Sequence, residues 1–220
     1  MGHEGSGVTV KVCGLTDSQG VLAATEGGAR FIGFVFYPPS PRSVTPLHAR
    51  ELSLQLPQSV SSVGVFFEPG DAELDSVVGS IPNVLVQLHG QETPRRVAEI
   101  KSRFKVRIIK SIPVATSQDI ESATQYENVA DWLLFDAKAP KEQTNALPGG
   151  NALAFDWKLL GGKDWKVPWL LSGGLTADNL RAAVSSTRAR AVDVSSGVED
   201  VPGQKSPERI REFLAVAGAI

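Results

Sequence analysis

The chain has 220 residues, of which 42% are hydrophobic and 21% charged, and its formal net charge at pH 7 is −2. This composition is that of an ordinary globular protein with a core, and the near-neutral charge argues against a broad basic surface for nucleic acid or an anionic membrane. The single cysteine excludes an intrachain disulfide framework, and the three histidines lack a zinc-binding spacing. We therefore expect a cytoplasmic protein without a signal peptide or membrane span.

Eight short apolar segments recur along the chain, and segments of helical length separate them. Continuous Val, Ile, Leu and Phe without strict alternation is typical of strands buried on both faces, as in parallel sheets. The eight predicted strands run over Val8–Cys13, Phe31–Phe36, Ser61–Phe67, Val84–His89, Val106–Ile112, Trp132–Ala137, Val167–Gly174 and Ala191–Gly197.

Helix start signals follow several of these strands. Thr16 or Asp17 is a suitable N-cap for the first helix, and Thr45-Pro46 opens the second with proline in its first turn. The last two helices are predicted over Thr176–Ser185 and Ser206–Ala217.

Strands that alternate with helices at roughly 25-residue spacing indicate a parallel sheet. Eight such units in a chain of this length favour an α/β fold, a single-domain (β/α)₈ TIM barrel over residues 1–220, with 1–7 as a flexible leader. The alternative is an open doubly wound sheet. It would usually have fewer strands, and no G-x-G-x-x-G fingerprint follows the first strand.

The active site of such a barrel is built from the carboxyl ends of the strands and the loops after them. Those positions hold most of the chain's candidate functional residues. They are Cys13, Arg42, His89, Lys110, Asp136, Gly173, Gly174, Ser195, Ser196 and Gly197.

The ends of the seventh and eighth strands carry small residues, Gly173-Gly174 and Ser195-Ser196-Gly197. Barrels frequently bind phosphate there, because small residues let backbone N–H groups approach an anion. A short helix beginning near Gly197 would direct its positive end to the same point. Either motif alone is explained by a tight turn, but the two together predict a phosphate site.

Cys13 and Asp136 each have two interpretations. A lone intracellular cysteine is often a small buried hydrophobe, but a thiol whose pKa is lowered from ~8.5 serves as a base. Asp136 is either a helix N-cap or, beside the apolar segment before it, a carboxyl group kept protonated as an acid. An acid and a base on opposite strands suit proton abstraction next to a carbon–nitrogen or carbonyl centre.

Four further polar residues have less specific signals. Arg42 lies in a proline-rich loop and is either held for bidentate pairing with a carboxylate or a solvated surface arginine, as most arginines are. His89 is expected to be a core histidine that donates to a carbonyl. Lys110 is either a Schiff-base lysine or the partner of an acid. Asp193 either binds substrate hydroxyls or braces its loop.

Several segments, taken together and in order from about Thr9 to Leu214, resemble the phosphoribosylanthranilate isomerase family of tryptophan biosynthesis. The first and last of them are the most specific. The segments are VKVCGLT, GFVFYPPSPRSV, VGVFFEP, VQLHGQE, LLFDAKAP, PGGNALAFDW, LSGGLTADN and VDVSSGVEDVPGQKSPERI.

The resemblance implies an enzyme without cofactor or metal that acts on a small sugar phosphate. Its reaction is the Amadori rearrangement of N-(5-phosphoribosyl)anthranilate to 1-(2-carboxyphenylamino)-1-deoxyribulose 5-phosphate. By resemblance, Cys13 is the general base and Asp136 the general acid, and Arg42 holds the anthranilate carboxylate. The phosphate is then expected on the backbone of Gly174, Ser196 and Gly197, in a monomer or homodimer.

One position departs from the family pattern, in which a glycine usually stands where this chain has Ala152. If that glycine has a positive φ, alanine would strain the loop by about 1 kcal/mol. Three alternatives remain beside the isomerase: the related aminoaldose isomerase of histidine biosynthesis, which uses an aspartate pair, a lyase that uses Lys110, and a sugar-phosphate-binding barrel without turnover.

Overall fold

The computed structural model describes residues 7–138 and 155–220. Eight parallel strands pair in sequence order, and β8 pairs with β1, so that the sheet closes into a barrel. The closed order confirms the predicted fold class. The strands are β1 (Thr9–Cys13), β2 (Phe31–Phe36), β3 (Ser61–Phe66), β4 (Leu85–Leu88), β5 (Ile108–Val114), β6 (Trp132–Ala137), β7 (Trp169–Leu171) and β8 (Ala191–Val194).

Helices surround this barrel. After β8, a small antiparallel hairpin consists of β9 (Glu199–Val201) and β10 (Gln204–Lys205), and 3₁₀ turns cover Ala123–Tyr126, Trp157–Leu160 and Ser196–Val198. Within the described ranges, no helix is long and apolar enough to cross a membrane. The helices are α1 (Ser18–Glu26), α2 (Pro46–Ser53), α3 (Asp71–Ser80), α4 (Pro94–Phe104), α5 (Ser117–Ser122), α6 (Leu180–Thr187) and α7 (Pro207–Gly218).

The start signals of the first two helices act as predicted. Asp17, rather than Thr16, caps α1, because its carboxylate accepts a hydrogen bond from the backbone N–H of Gly20 at 2.8 Å. Thr45 caps α2, and Pro46 occupies its first turn. These caps end the loops after β1 and β2 and so determine where the site-forming loops stop.

Side chains alternate between the inside of the barrel and the helix layer, because residues two apart on a strand face the same side. One buried cluster contains strand residues only and therefore fills the barrel interior, whereas the other includes the apolar faces of the helices. The interior cluster comprises Cys13, Phe31, Val63, Val65, Leu85, Ile109, Leu134, Leu170 and Ala191.

The last two barrel strands are shorter than the sequence predicts. β7 ends at Leu171, and the glycines that follow, Gly173 and Gly174, have φ angles of +91° and +63°. Such angles are incompatible with a continuing strand and favour glycine. β8 likewise ends at Val194. The two strands therefore end before the small residues, which are left to form loops at the barrel mouth.

Candidate active site

Cys13 is the last residue of β1 and lies inside the barrel mouth, where its side chain is buried. It pairs with Gly33 on β2. A Cβ atom at Gly33 would lie 2.9 Å from the Cys13 sulfur and 3.1 Å from its Cα, so a glycine on the neighbouring strand leaves room for the thiol in its present position. Burial raises the pKa of the Cys13 thiol, and the cation of Lys11 opposes that rise.

Lys11 lies two residues before Cys13 on the same interior face and is fully buried. Its Nζ is 2.7 Å from Oδ1 of Asp193, and the Ser172 hydroxyl donates to Oδ2 of Asp193 at 3.1 Å. Burial alone would lower the pKa of Lys11, but Asp193 and Cys13 outweigh it and hold the pKa above its ordinary value. The barrel centre thus contains a stable ammonium ion beside the thiol.

Asp136 lies near the end of β6 and is 7% exposed. Its Oδ1 accepts a hydrogen bond from the backbone N–H of Ala137 at 2.9 Å. A Cβ atom at Gly173 would lie 2.9 Å from that nitrogen and 3.3 Å from Oδ1. Gly173 therefore serves the site by letting the loop after β7 pack closely against the carboxyl group.

His89 follows β4 and differs from its prediction as a core histidine that donates to a carbonyl. Its Nδ1 lies 2.9 Å from Nε2 of Gln87, and its Nε2 lies 3.4 Å from Oδ2 of Asp136. The Ser111 hydroxyl is 3.5 Å from the same Nε2. The earlier interpretation was wrong because the alternation of β4 turns the ring into the barrel mouth, where side chains rather than carbonyls meet it.

Arg42 forms a bidentate ion pair within the protein. Its Nε lies 2.7 Å and its Nη2 2.8 Å from the two carboxylate oxygens of Glu199 in β9. Lys205 in β10 contacts the same carboxylate at 2.5 Å. Burial would raise the pKa of the Glu199 carboxyl group, but Arg42 and Lys205 together hold it below its ordinary value.

The hairpin that carries Glu199 is tied to the strand of the thiol. Lys205 donates to the backbone carbonyl of Ser195 at 2.9 Å, and the Ser195 hydroxyl donates to the carbonyl of Cys13 at 3.1 Å. Gly14, with a φ of +78°, lies against Arg42, whose Cδ would be 2.7 Å from a Cβ there. The loops after β1, β2 and β8 consequently form one packed unit.

The loops after β7 and β8, where the sequence predicts a phosphate site, meet closely. A Cβ atom at Gly197 would lie 1.9 Å from the carbonyl oxygen of Leu175, so only glycine fits. Asn179 shapes the first loop, because its Nδ2 donates to the carbonyl of Gly174 and its Oδ1 accepts from the N–H of Thr176, both at 2.8 Å. A 3₁₀ turn begins at Ser196.

Comparison with known proteins identifies the family. The model of the family described as N-(5'phosphoribosyl)anthranilate (PRA) isomerase matches residues 10–216. The N-(5'-phosphoribosyl)anthranilate isomerase of Paracoccus denitrificans is 54% identical over 212 residues, covering 96% of this chain and 98% of that protein. The chain belongs to the phosphoribosylanthranilate isomerase family.

Solved structures of phosphoribosylanthranilate isomerases agree with this assignment. One from Thermotoga maritima has a TM-score of 0.85 at 37% identity and covers 97% of this chain and 100% of its own. Another, solved in complex with reduced 1-(o-carboxyphenylamino)-1-deoxyribulose 5-phosphate, has a TM-score of 0.81 at 34% identity, with the same coverage. This chain is accordingly an enzyme of tryptophan biosynthesis, and its predicted fold and activity are confirmed.

The contacts of Lys110 disfavour a lyase that uses this residue. Lys110 is buried outside the barrel mouth, where Nζ lies 2.9 Å from Glu92 and donates to the carbonyl of Gly90 at 2.7 Å. Of its two predicted roles, the structure supports the partner of an acid.

Two predictions concern residues outside the described ranges. The first is the leader over 1–7, of which only Gly7 is described, and the second is the departure from the family pattern at Ala152. Among the residues that are described, no group of three or more His, Cys, Asp and Glu side chains could hold a metal ion.

Sequence reasoning missed several residues around the site of this isomerase. Glu199 and Lys205 belong to the quoted VDVSSGVEDVPGQK segment, and Lys11 to VKVCGLT, but no role was derived for them. The signal for Lys11 was available, because a lysine inside an apolar strand segment two residues before Cys13 must share its face. Nothing local pointed to Glu199 as the partner of Arg42.

Proposed function

We propose that this protein catalyses the Amadori rearrangement of N-(5-phosphoribosyl)anthranilate with Cys13 as general base and Asp136 as general acid. The observation that carries the assignment of roles is the pair itself. A buried thiol on β1 and a buried carboxyl group on β6 both stand at the carboxyl end of one barrel, where barrel enzymes perform their chemistry.

The first step opens the sugar ring. Asp136 gives its proton to the furanose ring oxygen, the bond from that oxygen to C1 breaks, and the anthranilate nitrogen supplies the electron pair that forms a protonated Schiff base. The almost complete burial of Asp136 supports this role, because a water-poor site strengthens the hydrogen bond through which the proton is donated.

In the second step the Cys13 thiolate removes the proton from C2. The electrons of that bond move into the Schiff base and form an enolamine, which becomes the ketone of the product. One proton leaves Asp136 and one arrives at Cys13, so the total charge of the pair is unchanged. The ammonium of Lys11, beside the thiol, favours the thiolate that this step needs.

The remaining site residues are proposed to hold the two ends of the substrate. Arg42 holds the anthranilate carboxylate, and its orientation by Glu199 limits the entropy lost on binding. The phosphate binds at the loops after β7 and β8, which pack against each other at Gly197 and Leu175, because small residues let backbone N–H groups approach an anion. The residues of that second group are Gly173, Gly174, Ser195, Ser196 and Gly197.

Asp193 is proposed to contact the sugar hydroxyls while it binds Lys11. A carboxylate oxygen has two lone pairs, so the bonds from Lys11 and Ser172 leave acceptor capacity for a ligand.

The test measures the loss of phosphoribosylanthranilate fluorescence, with the substrate generated in place. Wild type is compared with Cys13→Ser and Asp136→Asn, and Asp178→Asn, an exposed loop position, is the control. We expect turnover by wild type and the control and a drop on the order of 10²–10⁴-fold in each of the other variants. Full activity in a folded Cys13→Ser variant would refute the role of the thiol.

We also propose that the barrel works as a single domain in the cytoplasm on a small soluble sugar phosphate, as a monomer or homodimer. The relatives provide support, since engineered monomers of a dimeric isomerase from Thermotoga maritima have been solved. Sedimentation equilibrium on the full chain decides between the two states, and a larger assembly would contradict both.

A further inference from the structure

The side chain of Gln87 meets the ring of His89 in a defined orientation. Both residues face the barrel interior at the end of β4, and Gln87 is 1% exposed. The amide nitrogen Nε2 of Gln87 lies 2.9 Å from Nδ1 of His89. The amide oxygen Oε1 is buried without a hydrogen-bond partner in the described part of the chain.

This orientation selects one tautomer of His89. An amide N–H₂ group only donates, so Nδ1 of the neutral ring must accept and the ring proton must be on Nε2. The hydrogen bond at one ring nitrogen determines the protonation of the other. Nε2 of His89 lies 3.4 Å from Oδ2 of Asp136, so the protonated nitrogen faces the proposed acid.

The opposite arrangement would satisfy Gln87 at the expense of Asp136. With the amide reversed, Oε1 would accept from Nδ1–H, and the bare Nε2 lone pair would face a carboxylate oxygen of Asp136 at 3.4 Å, with the Ser111 hydroxyl at 3.5 Å as its donor. A buried polar group without a hydrogen-bond partner calls for an explanation in the surrounding site. For Oε1 of Gln87 the explanation is that the amide is turned so that its nitrogen, and not its oxygen, meets His89.

The Nε2–H tautomer suits both protonation states of Asp136. While Asp136 is protonated, His89 cannot accept its proton, so the proton remains available for the substrate. After the proton has left, the carboxylate accepts from the N–H of Ala137 at Oδ1, and the protonated Nε2 of His89 lies 3.4 Å from Oδ2. Donors already directed at a developing charge lower the barrier of the step that creates it.

We propose that Gln87 and His89 are positioning residues for Asp136. Gln87 holds His89 as the Nε2–H tautomer, and His89 stabilises the Asp136 carboxylate that forms when the sugar ring opens. The proposal rests on the proposed role of Asp136 as the acid. It adds two residues that do not contact the reacting atoms but act through the one that does.

The tautomer can be measured directly in the free wild-type protein. Nitrogen-15 NMR of the histidine rings distinguishes a protonated from an unprotonated Nδ1, and His89→Gln assigns the His89 signals by their disappearance. We expect His89 to carry its proton on Nε2. Gln87→Met keeps the length of the side chain but removes the amide oxygen and nitrogen, so we expect His89 to become a mixture of both tautomers in this variant. The signals of His48, whose Nε2 contacts the carbonyl of Thr16 at 2.8 Å, are expected to stay unchanged.

Turnover kinetics test the role of the Nε2 donor. The amide nitrogen of glutamine stands close to the position of Nε2, whereas that of asparagine stands close to Nδ1. We therefore expect His89→Gln to keep kcat within a few-fold of wild type and His89→Asn to lose about 10- to 100-fold, as supporting residues of a site commonly do. KM is expected to stay within about twofold in both variants, because the proposal gives neither residue a contact with the substrate. His48→Gln serves as the control.

The possible outcomes separate this proposal from the proposed function. Wild-type turnover with His89 protonated on Nδ1, or equal kcat values for the two His89 variants, would overturn the positioning role alone. Absence of turnover in folded wild type would overturn the proposed function and the role of His89 with it. If the His89 variants fail to fold, His3→Gln and His48→Gln identify the signals of the other two histidines of the chain, and the remaining signals in the wild-type and Gln87→Met spectra still decide the tautomer of His89.

Discussion

Gly33 leaves the space that the sulfur of Cys13 occupies. The two residues pair across β1 and β2, and a Cβ at Gly33 would lie 2.9 Å from the sulfur and 3.1 Å from the Cα of Cys13. The sulfur can rotate away from such a contact, but the backbone of β1 cannot. The proposed base therefore depends on a residue of the neighbouring strand that has no chemistry of its own.

Gly33→Ala is expected to lower both stability and turnover. Relief of the contact requires a shift of β1 or of the thiol, and overpacking of this kind costs about 1–3 kcal/mol. Urea denaturation measures the free energy of unfolding, and the fluorescence assay measures kcat. Gly79→Ala is the matched control, because no atom lies within 4 Å of its added Cβ and it lies in α3, so stability should rise by about 0.5–1 kcal/mol. A Gly33→Ala protein as stable and active as wild type would contradict the close packing.

The Lys11–Asp193 pair is expected to control the ionisation of Cys13. The double variant Lys11→Met/Asp193→Asn removes both charges together and so avoids an unpaired buried carboxylate. Because Lys11 opposes the effect of burial more strongly than Asp193 adds to it, the pKa of the thiol should rise further. Ultraviolet absorbance of the thiolate, followed against pH, measures it once the same titration of Cys13→Ser has been subtracted to remove the two tyrosines, since the chain has one cysteine.

The control for this titration is Lys166→Met at an exposed position, which should leave the thiol titration unchanged. A thiolate that forms at lower pH in the double variant than in wild type would contradict the role assigned to Lys11. In wild type, the raised pKa also predicts that kcat increases with pH until the thiol is ionised.

Glu199→Gln is expected to weaken both the fold and the binding of substrate. Breaking a buried ion pair on one side costs about 3–5 kcal/mol, and Arg42 loses the partner that orients it, so KM should rise more than kcat falls. Urea denaturation and steady-state kinetics measure the two effects. Glu121→Gln, at an exposed position, is the control, and an unchanged KM would argue against the orientation of Arg42 by Glu199.

Glu199→Gln is also expected to change how the free energy of unfolding depends on pH in the acid range. The pKa of Glu199 is depressed in the folded state, so its stabilisation is complete above the ordinary pKa of glutamate, ~4.3, and is lost as the pH falls through the depressed value. Unfolding free energies measured between neutral and acid pH should therefore decline less steeply in Glu199→Gln than in wild type. Parallel declines would show that Glu199 contributes nothing to acid sensitivity.

Asn179→Ala is expected to loosen the loop after β7. The variant removes the hydrogen bonds to Gly174 and Thr176, each worth about 0.5–1.5 kcal/mol. Because this loop forms part of the proposed phosphate site, KM should increase several-fold while kcat changes little. Inhibition by inorganic phosphate gives a second measure and should weaken in parallel. Asp178→Ala, at the exposed position just before Asn179, is the control and should behave as wild type. An Asn179→Ala variant with the KM of wild type would show that the loop does not depend on this side chain.

The sequence predicted the strands, and the strand-end positions of Cys13 and Asp136, because both follow from local pattern. Two predicted strands, Phe31–Phe36 and Trp132–Ala137, agree with the structure at both ends, since buried parallel strands are unbroken apolar runs. Cys13 and Asp136 could be identified because each follows such a run, and the carboxyl ends of all eight strands meet at one end of a barrel.

The tertiary structure alone decided which charged groups face one another. Arg42 was expected to pair with a carboxylate, but Glu199 is 157 positions away, and Lys11 is 182 positions from Asp193. Periodicity assigns a side chain to one face of its own strand, and it carries no information about which distant loop folds over that face. Closure of the barrel brings β8 against β1 and the final hairpin over the mouth, and this closure creates the charge contacts around the thiol.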